Sequence, residues 1–149
     1  MTQRFRLTRR VEFNHCDPAG MVFYPRYFEM ISATIERFLA DAIDYSWQDM
    51  GVFSGGMGTP LGRIEVRFAN PGYLGEDLDF DLTLTRLGRS SAVFAIRCSC
   101  SNQTRFDCDA TIIHARTGGG SSVPWPDAVR ARMAAYLTTS EPTDEKTTA

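Results

Sequence analysis

Apolar side chains in this chain recur at two different periods, and the change between them limits the folds open to it. Residues 4–14 alternate, with Phe5, Leu7, Val11 and Phe13 on one face and Arg6, Thr8, Arg10 and Glu12 on the other; only Arg9 breaks the apolar face. That two-residue period predicts a half-buried strand. From Pro25 to about Ile43 the period becomes helical. Phe28, Ile31, Ile35, Phe38, Leu39 and Ala42 recur at three and four residues, and Met30, Ala33, Ala40 and Ile43 widen the stripe. Four more alternating runs follow. Their inner faces read Ile64-Val66-Phe68, Leu78-Phe80-Leu82-Leu84, Ala92 to Cys100 and Phe106 to His114, and the last has Arg105, Asp107, Asp109 and Thr111 on its outer face. The linkers Leu87-Gly88-Arg89 and Ser101-Asn102-Gln103 are short enough for antiparallel hairpins. One long apolar helix followed by such strands predicts an α+β fold, a curved antiparallel sheet of about five strands wrapped around the helix. A single sheet of this kind exposes an edge strand, and pairing of that edge between two copies is the expected remedy.

The rest of the chain is punctuation. Trp47 and Met50 anchor a short segment, and Gly51 to Gly58 carries four glycines and reads as a mobile loop. After three consecutive glycines at 118–120, Val123-Pro124-Trp125-Pro126 leads into a short amphipathic segment from Ala128 to Leu137. The expected organisation is one domain over 1–137. Residues 138–149 lack any apolar pattern and read as a disordered tail.

Composition excludes several function classes. The 149 residues carry a net charge of −2, which gives no overall basic field for nucleic acid. No apolar run reaches the length of a membrane span, and the basic first residues are not followed by an apolar stretch with a cleavage site. None of Cys16, Cys98, Cys100 and Cys108 forms a CxxC pair, so a reducing cytoplasm is the expected setting.

The chemistry concentrates where the first strand meets the helix, in His15-Cys16-Asp17-Pro18-Ala19-Gly20, then Phe23-Tyr24-Pro25-Arg26-Tyr27-Phe28. Gly20 tolerates positive φ, and Pro25 suits a helix start. A loop turning into a helix start leaves backbone N–H groups without helical partners, and these groups favour negative charge. Asp17 therefore lies close in sequence to a place that would welcome a developing oxyanion. Asp17 is equally what a turn-closing residue looks like. His15, Cys16 and Asp17 are adjacent on an extended chain and point opposite ways, so they do not converge on a metal.

With these residues in view, the sequence resembles the 4-hydroxybenzoyl-CoA thioesterase family of hot-dog-fold proteins. The likeness is carried by Cys16 to Gly20, Phe23-Tyr24-Pro25 and Tyr27-Phe28, and continues at Trp47, Gly58-Thr59-Pro60 and Arg89-Ser90-Ser91. The resemblance implies a hot-dog fold and hydrolysis of an aryl-CoA or medium-chain acyl-CoA. Asp17 takes the place of the catalytic nucleophile or general base, and Tyr24 offers its backbone N–H to the thioester carbonyl. Trp47, Thr59, Arg89, Ser90 and Ser91 fall at positions around the acyl group and the CoA arm, often across a subunit boundary. It further implies a homodimer or homotetramer with active sites at subunit interfaces, and no cofactor beyond the coenzyme A of the substrate. Ser32 stands where some members have a carboxylate thought to help read a ring hydroxyl, which counts against 4-hydroxybenzoyl-CoA itself. The alternatives are a hydratase or dehydratase acting on enoyl-CoA, and an acyl-CoA-binding domain without chemistry. Glu29, one turn into the helix, is the reserve acid.

Overall fold

The computed structural model describes residues 2–138. Strand β1 (Phe5–Arg10) leads through a 3-10 turn at Phe13–His15 into helix α1 (Tyr24–Arg37), which runs on as a π-helical turn, Phe38–Ala42. A one-turn helix α2 (Trp47–Met50) and the short strand β2 (Met57–Gly58) precede strands β3 (Leu61–Phe68), β4 (Asp77–Leu87), β5 (Ser91–Cys100) and β6 (Gln103–Ile113). Strand β7 (Ala115–Arg116) and helix α3 (Asp127–Ala134) follow. The five long strands form one antiparallel sheet in the order β1-β4-β5-β6-β3, and β2 pairs with β7. This is the α+β hot-dog architecture expected from the sequence.

The inner face of the sheet is the alternating set read from the sequence. Leu78, Phe80, Leu82 and Leu84 of β4, Phe94 and Ile96 of β5, and Phe106, Cys108 and Ala110 of β6 are all buried against α1. Phe38, at the end of the helix, is the hub of this core. Its ring lies edge-on to Phe94 at 5.5 Å and to Tyr136 at 5.0 Å. The opposite face is a ladder of paired charges. Arg6 grips Asp81 through two bonds of 2.7 and 3.0 Å, Arg97 pairs with Asp107 at 2.8 Å, and Arg67 with Asp109 at 3.2 Å. Exposed pairs of this kind add little to stability, so the ladder keeps that face in water rather than holding the sheet together. The hairpin joining β5 and β6 turns on Ser101 and Asn102, both at positive φ (49° and 64°), the twist a two-residue turn needs.

The structure corrects four expectations. Strand β1 stops at Arg10, and Phe13, expected on its buried face, starts the 3-10 turn and is 85% exposed. Helix α1 begins one residue before Pro25, which takes its second position. The glycine-rich stretch after Trp47 is tied down, not loose. Gly56 N–H donates to Gly51 O at 2.9 Å, and Gly56 O accepts from Thr117 N–H at 2.9 Å. Arg105, expected on the outer face of β6, is buried at 5% exposure. The expected tail at 138–149 lies outside the described residues except for Thr138, whose N–H donates to Leu84 O at 2.8 Å.

Candidate active site

Between β1 and α1 the chain makes a small loop built around Asp17. Asp17 N–H donates to Met21 O at 2.9 Å, and Gly20 N–H, at φ 79°, donates to Asp17 O at 3.0 Å. The side chain closes the same loop from within: Asp17 Oδ1 accepts from Ala19 N–H at 2.9 Å and from Met21 N–H at 3.3 Å. The other carboxylate oxygen, Oδ2, has no hydrogen bond among the described residues. Asp17 is half-buried. The turn-closing role read from the sequence is real, and it occupies one oxygen of the two.

Seven residues on, Tyr24 opens α1. The residue is 62% exposed, and its N–H, a first-turn donor with no helical partner, has no acceptor among the described residues. The neighbouring N–H groups are used: Phe23 donates to His15 O at 2.9 Å, and Val22 to Gly72 O at 2.9 Å.

The connection between β3 and β4 straps this loop from outside. Leu74 N–H donates to Gly20 O at 3.1 Å, and Met21 forms an antiparallel bridge with Tyr73. Gly72 N–H donates to the Tyr27 hydroxyl at 3.0 Å, and burial pushes that phenol up to about 12. A Cβ at Gly72 would lie 2.6 Å from the same hydroxyl, so only glycine fits there. Tyr27 reads from the sequence as a packed aromatic; its hydrogen bond had no sequence signal.

Trp47 and Thr59 come together on another side of α1. The indole N–H donates to Thr59 Oγ1 at 2.7 Å. Both residues line a cavity of 120 Å³ with Phe28 and Ser32 of α1 and Leu61 and Ile64 of β3. Apart from Ser32, Thr59 and the indole N–H, the wall is apolar and uncharged. On its far side Trp47 borders a wider groove of 730 Å³ that also takes in Glu36 and Phe53.

Arg89, Ser90 and Ser91 form a third cluster, at the tight turn joining β4 and β5. Its backbone is held from four directions. Trp125 N–H donates to Arg89 O at 3.0 Å, His114 N–H to Ser90 O at 2.7 Å, Trp125 Nε1–H to Ser91 O at 3.1 Å and Arg130 to Gly88 O at 2.5 Å. The Arg89 side chain is exposed. Trp125, read as part of a loop, is 3% exposed and stacks on His114 at 4.8 Å. Its role in the turn had no signal beyond the flanking prolines.

The other candidates have local partners. His114 is a satisfied core histidine: Nδ1–H donates to Val123 O at 2.8 Å, which leaves Nε2 to accept the Tyr45 hydroxyl at 2.7 Å. His15 Nδ1 accepts Glu12 N–H at 2.9 Å, and Glu29 pairs with Arg26 at 2.9 Å on the exposed face of α1. Among the described residues no three His, Cys, Asp or Glu side chains are grouped to hold a metal ion, and no helix is long and apolar enough to cross a membrane.

One chain therefore does not bring the sequence-derived residues into a single pocket. Asp17, Tyr24 and Trp47 line three different cavities, and the Arg89 turn lines none of them.

Comparison with known proteins gives one consistent result. The 4-hydroxybenzoyl-CoA thioesterase of Pseudomonas sp. (strain CBS-3) is 29% identical over 68 residues, 46% of this chain and 48% of that protein, so the match spans about half the length of the curated relative. A structure of 4-hydroxybenzoyl-CoA thioesterase, the D17N mutant complexed with 4-hydroxybenzoyl-CoA, superposes with a TM-score of 0.79 at 21% identity, over 87% of this chain and 98% of that one. A 1,4-dihydroxy-2-naphthoyl-CoA thioesterase from Synechocystis superposes with a TM-score of 0.78 at 19% identity, over 89% and 96%. These superpositions establish the fold. The model of the thioesterase-like superfamily matches residues 11–133, and with most of its length inside that match the chain belongs to the thioesterase-like superfamily.

Proposed function

We propose that this chain hydrolyses the thioester of an aryl-CoA or medium-chain acyl-CoA, with Asp17 as nucleophile or general base and the Tyr24 N–H as oxyanion donor. One observation carries the reading: the two oxygens of Asp17 differ. Oδ1 is fixed by the N–H groups of Ala19 and Met21 while Oδ2 is unpaired, in the same loop that ends at the unpaired N–H of Tyr24.

In this scheme the thioester carbonyl oxygen accepts from Tyr24 N–H, where the first turn of α1 stabilises the negative charge that develops. Oδ2 either attacks the carbonyl carbon or takes a proton from an attacking water. Coenzyme A leaves as a thiolate and picks up a proton; direct attack leaves an anhydride on Asp17 that water then opens. No metal or cofactor takes part. The acyl group occupies the cavity that Trp47 and Thr59 help to line, and the Arg89 guanidinium meets a phosphate of the CoA arm. The separation of these groups in one chain supports a homodimer or homotetramer whose active sites join two subunits. Four unpaired cysteines support a cytoplasmic setting. The named relatives act on aryl-CoA esters, which supports the same substrate class here.

The test is thiol release from a panel of CoA esters, from short acyl through octanoyl to benzoyl and hydroxybenzoyl, by wild type and Asp17→Asn. Asparagine keeps an oxygen for Ala19 and Met21, so the loop survives. Release by wild type and a fall of about 100-fold or more in the variant are expected. Equal rates in both would remove Asp17 from the chemistry. Tight ester binding without release would favour a binding domain.

A further inference from the structure

The alternation of β6 breaks near its start. Cys98 pairs with Phe106 and the next residue, Ser99, with Thr104, so Arg105 has no partner across the strand. It is the extra residue of a β-bulge, and the bulge brings its side chain to 5% exposure. From there Arg105 holds both ends of the connection between β3 and β4. Its carbonyl oxygen accepts from Ala69 N–H at 2.8 Å and Asn70 N–H at 3.2 Å. Its guanidinium donates to Gln103 Oε1 and, at 2.5 Å, to Glu76 Oε2. The second carboxylate oxygen, Glu76 Oε1, accepts from Tyr73 N–H at 2.7 Å. Between these anchors lie Gly72, Tyr73 and Leu74, the residues that strap the Asp17 loop through Val22, Met21 and Gly20.

The arrangement is costly. Among the described residues, Arg105 Nε is a buried side-chain nitrogen without a hydrogen-bond partner. A buried ion pair with an unmet donor is often no more stabilising than an apolar side chain of similar volume. What the pair adds is geometry: the Arg105 carbonyl fixes the start of the connection and the Arg105–Glu76 pair fixes its end.

We propose that Arg105 and Glu76 are positioning residues for Asp17, acting through Tyr73 and Leu74 on the Gly20-Met21 backbone. The proposal rests on the reading of Asp17 as the reacting carboxylate. It accounts for the burial of a bulged arginine that the core does not need. A shift of about 1 Å in a reacting group costs on the order of 100-fold in rate, so a clamp remote from the substrate matters to turnover.

The experiment uses the full chain as wild type, Arg105→Met, Arg105→Lys, Glu76→Gln and the Arg105→Met/Glu76→Gln double variant. Amide hydrogen exchange at Ala19 and Met21, the two donors to Asp17, is followed by NMR, and kcat and KM are measured for thiol release. In Glu76→Gln and Arg105→Met, exchange at both amides is expected to rise about tenfold or more. A fall in kcat of about 10- to 100-fold, with KM within about twofold, accompanies it. Arg105→Lys restores part of both, and the double variant is no worse than the more affected single variant, because the pair is one link. Unchanged exchange and kcat in a variant whose melting temperature has dropped would reduce the pair to a structural role and overturn the proposal. Glu76→Gln preserves shape and carries the test if Arg105→Met does not fold. If no chain releases thiol, the functional reading fails, yet the exchange arm still decides whether the clamp orders the loop.

Discussion

The indole N–H of Trp47 points at the hydroxyl oxygen of Thr59, 2.7 Å away, and this bond sets the wall between a cavity of 120 Å³ and an open groove of 730 Å³. Thr59→Val keeps the shape of the side chain and removes the acceptor, which frees the indole to turn. Trp47→Ala removes the wall outright. Both changes are expected to raise the octanoyl-to-benzoyl ratio of kcat/KM, by about tenfold or more in Trp47→Ala, because a longer chain then runs past position 47 into the groove. A ratio unchanged in both variants would mean that the acyl group lies elsewhere.

Gly72 is expected to reject alanine because of Tyr27. The added Cβ lies 2.6 Å from the hydroxyl but 3.7 Å from the ring carbon that carries it. Gly72→Ala alone should cost about 1–3 kcal/mol, and Tyr27→Phe alone about 1 kcal/mol for the N–H left unpaired. Together they should cost clearly less than their sum, since removal of the hydroxyl removes the clash. Urea unfolding of the four chains measures this coupling, and additive losses would contradict the geometry.

Stability is expected to fall on the alkaline side. Burial pushes the Tyr27 phenol and the Cys108 thiol up to about 12 from ordinary values of 10.0 and 9.0, and raises the Cys98 thiol as well. Between pH 9 and 12 the unfolded chain gives up protons that the folded chain keeps, so the unfolded state gains as pH rises. The stabilisation is complete below pH 9 and is lost toward pH 12, at no more than about 1.4 kcal/mol per group per pH unit. Urea midpoints at pH 8 and pH 10.5 test this, and Tyr27→Phe should flatten the part of the fall that begins near pH 10.

The edge strand β3 carries Leu61 and Phe68, each 53% exposed, and Leu61 also lines the cavity beside Trp47. Pairing of this edge between two copies would cover both residues. Leu61→Lys with Phe68→Lys is therefore expected to sediment as a monomer with unchanged circular dichroism, and to lose turnover with dissociation. A wild-type monomer that is fully active would refute the shared site.

Much of this architecture was legible because it rests on period alone. The inward set on β4 and β5 follows directly from alternation, and the path of α1 from residues three and four apart. Alternation failed wherever a strand stopped or slipped. Phe13 continues the pattern of β1 but follows its last ladder bond. Arg105 continues the outer face of β6 only if the strand is regular, and no turn residue or glycine announces the bulge. The Asp17 loop was legible through its glycine and prolines. The strap behind it was not, because its bonds run from backbone groups at Gly72 and Leu74 that exist in every residue type. Nor could one chain's sequence say that Asp17 and Trp47 would line different cavities.

The paired charges on the outer sheet face have a consequence for approach from solution. Arginines and acids alternate there at contact distance, as in Arg6 with Asp81 and Arg97 with Asp107. Their potentials cancel within a few ångströms, so this broad surface casts almost no field beyond its first layer of water. A polyanion the size of an acyl-CoA is neither drawn to that face nor held on it. Arg89, which has no ion pair among the described residues, projects its charge undiminished at the far end of the sheet. That broad face is electrically quiet, and the attraction for an approaching anion falls to exposed arginines outside the ladder, Arg89 among them.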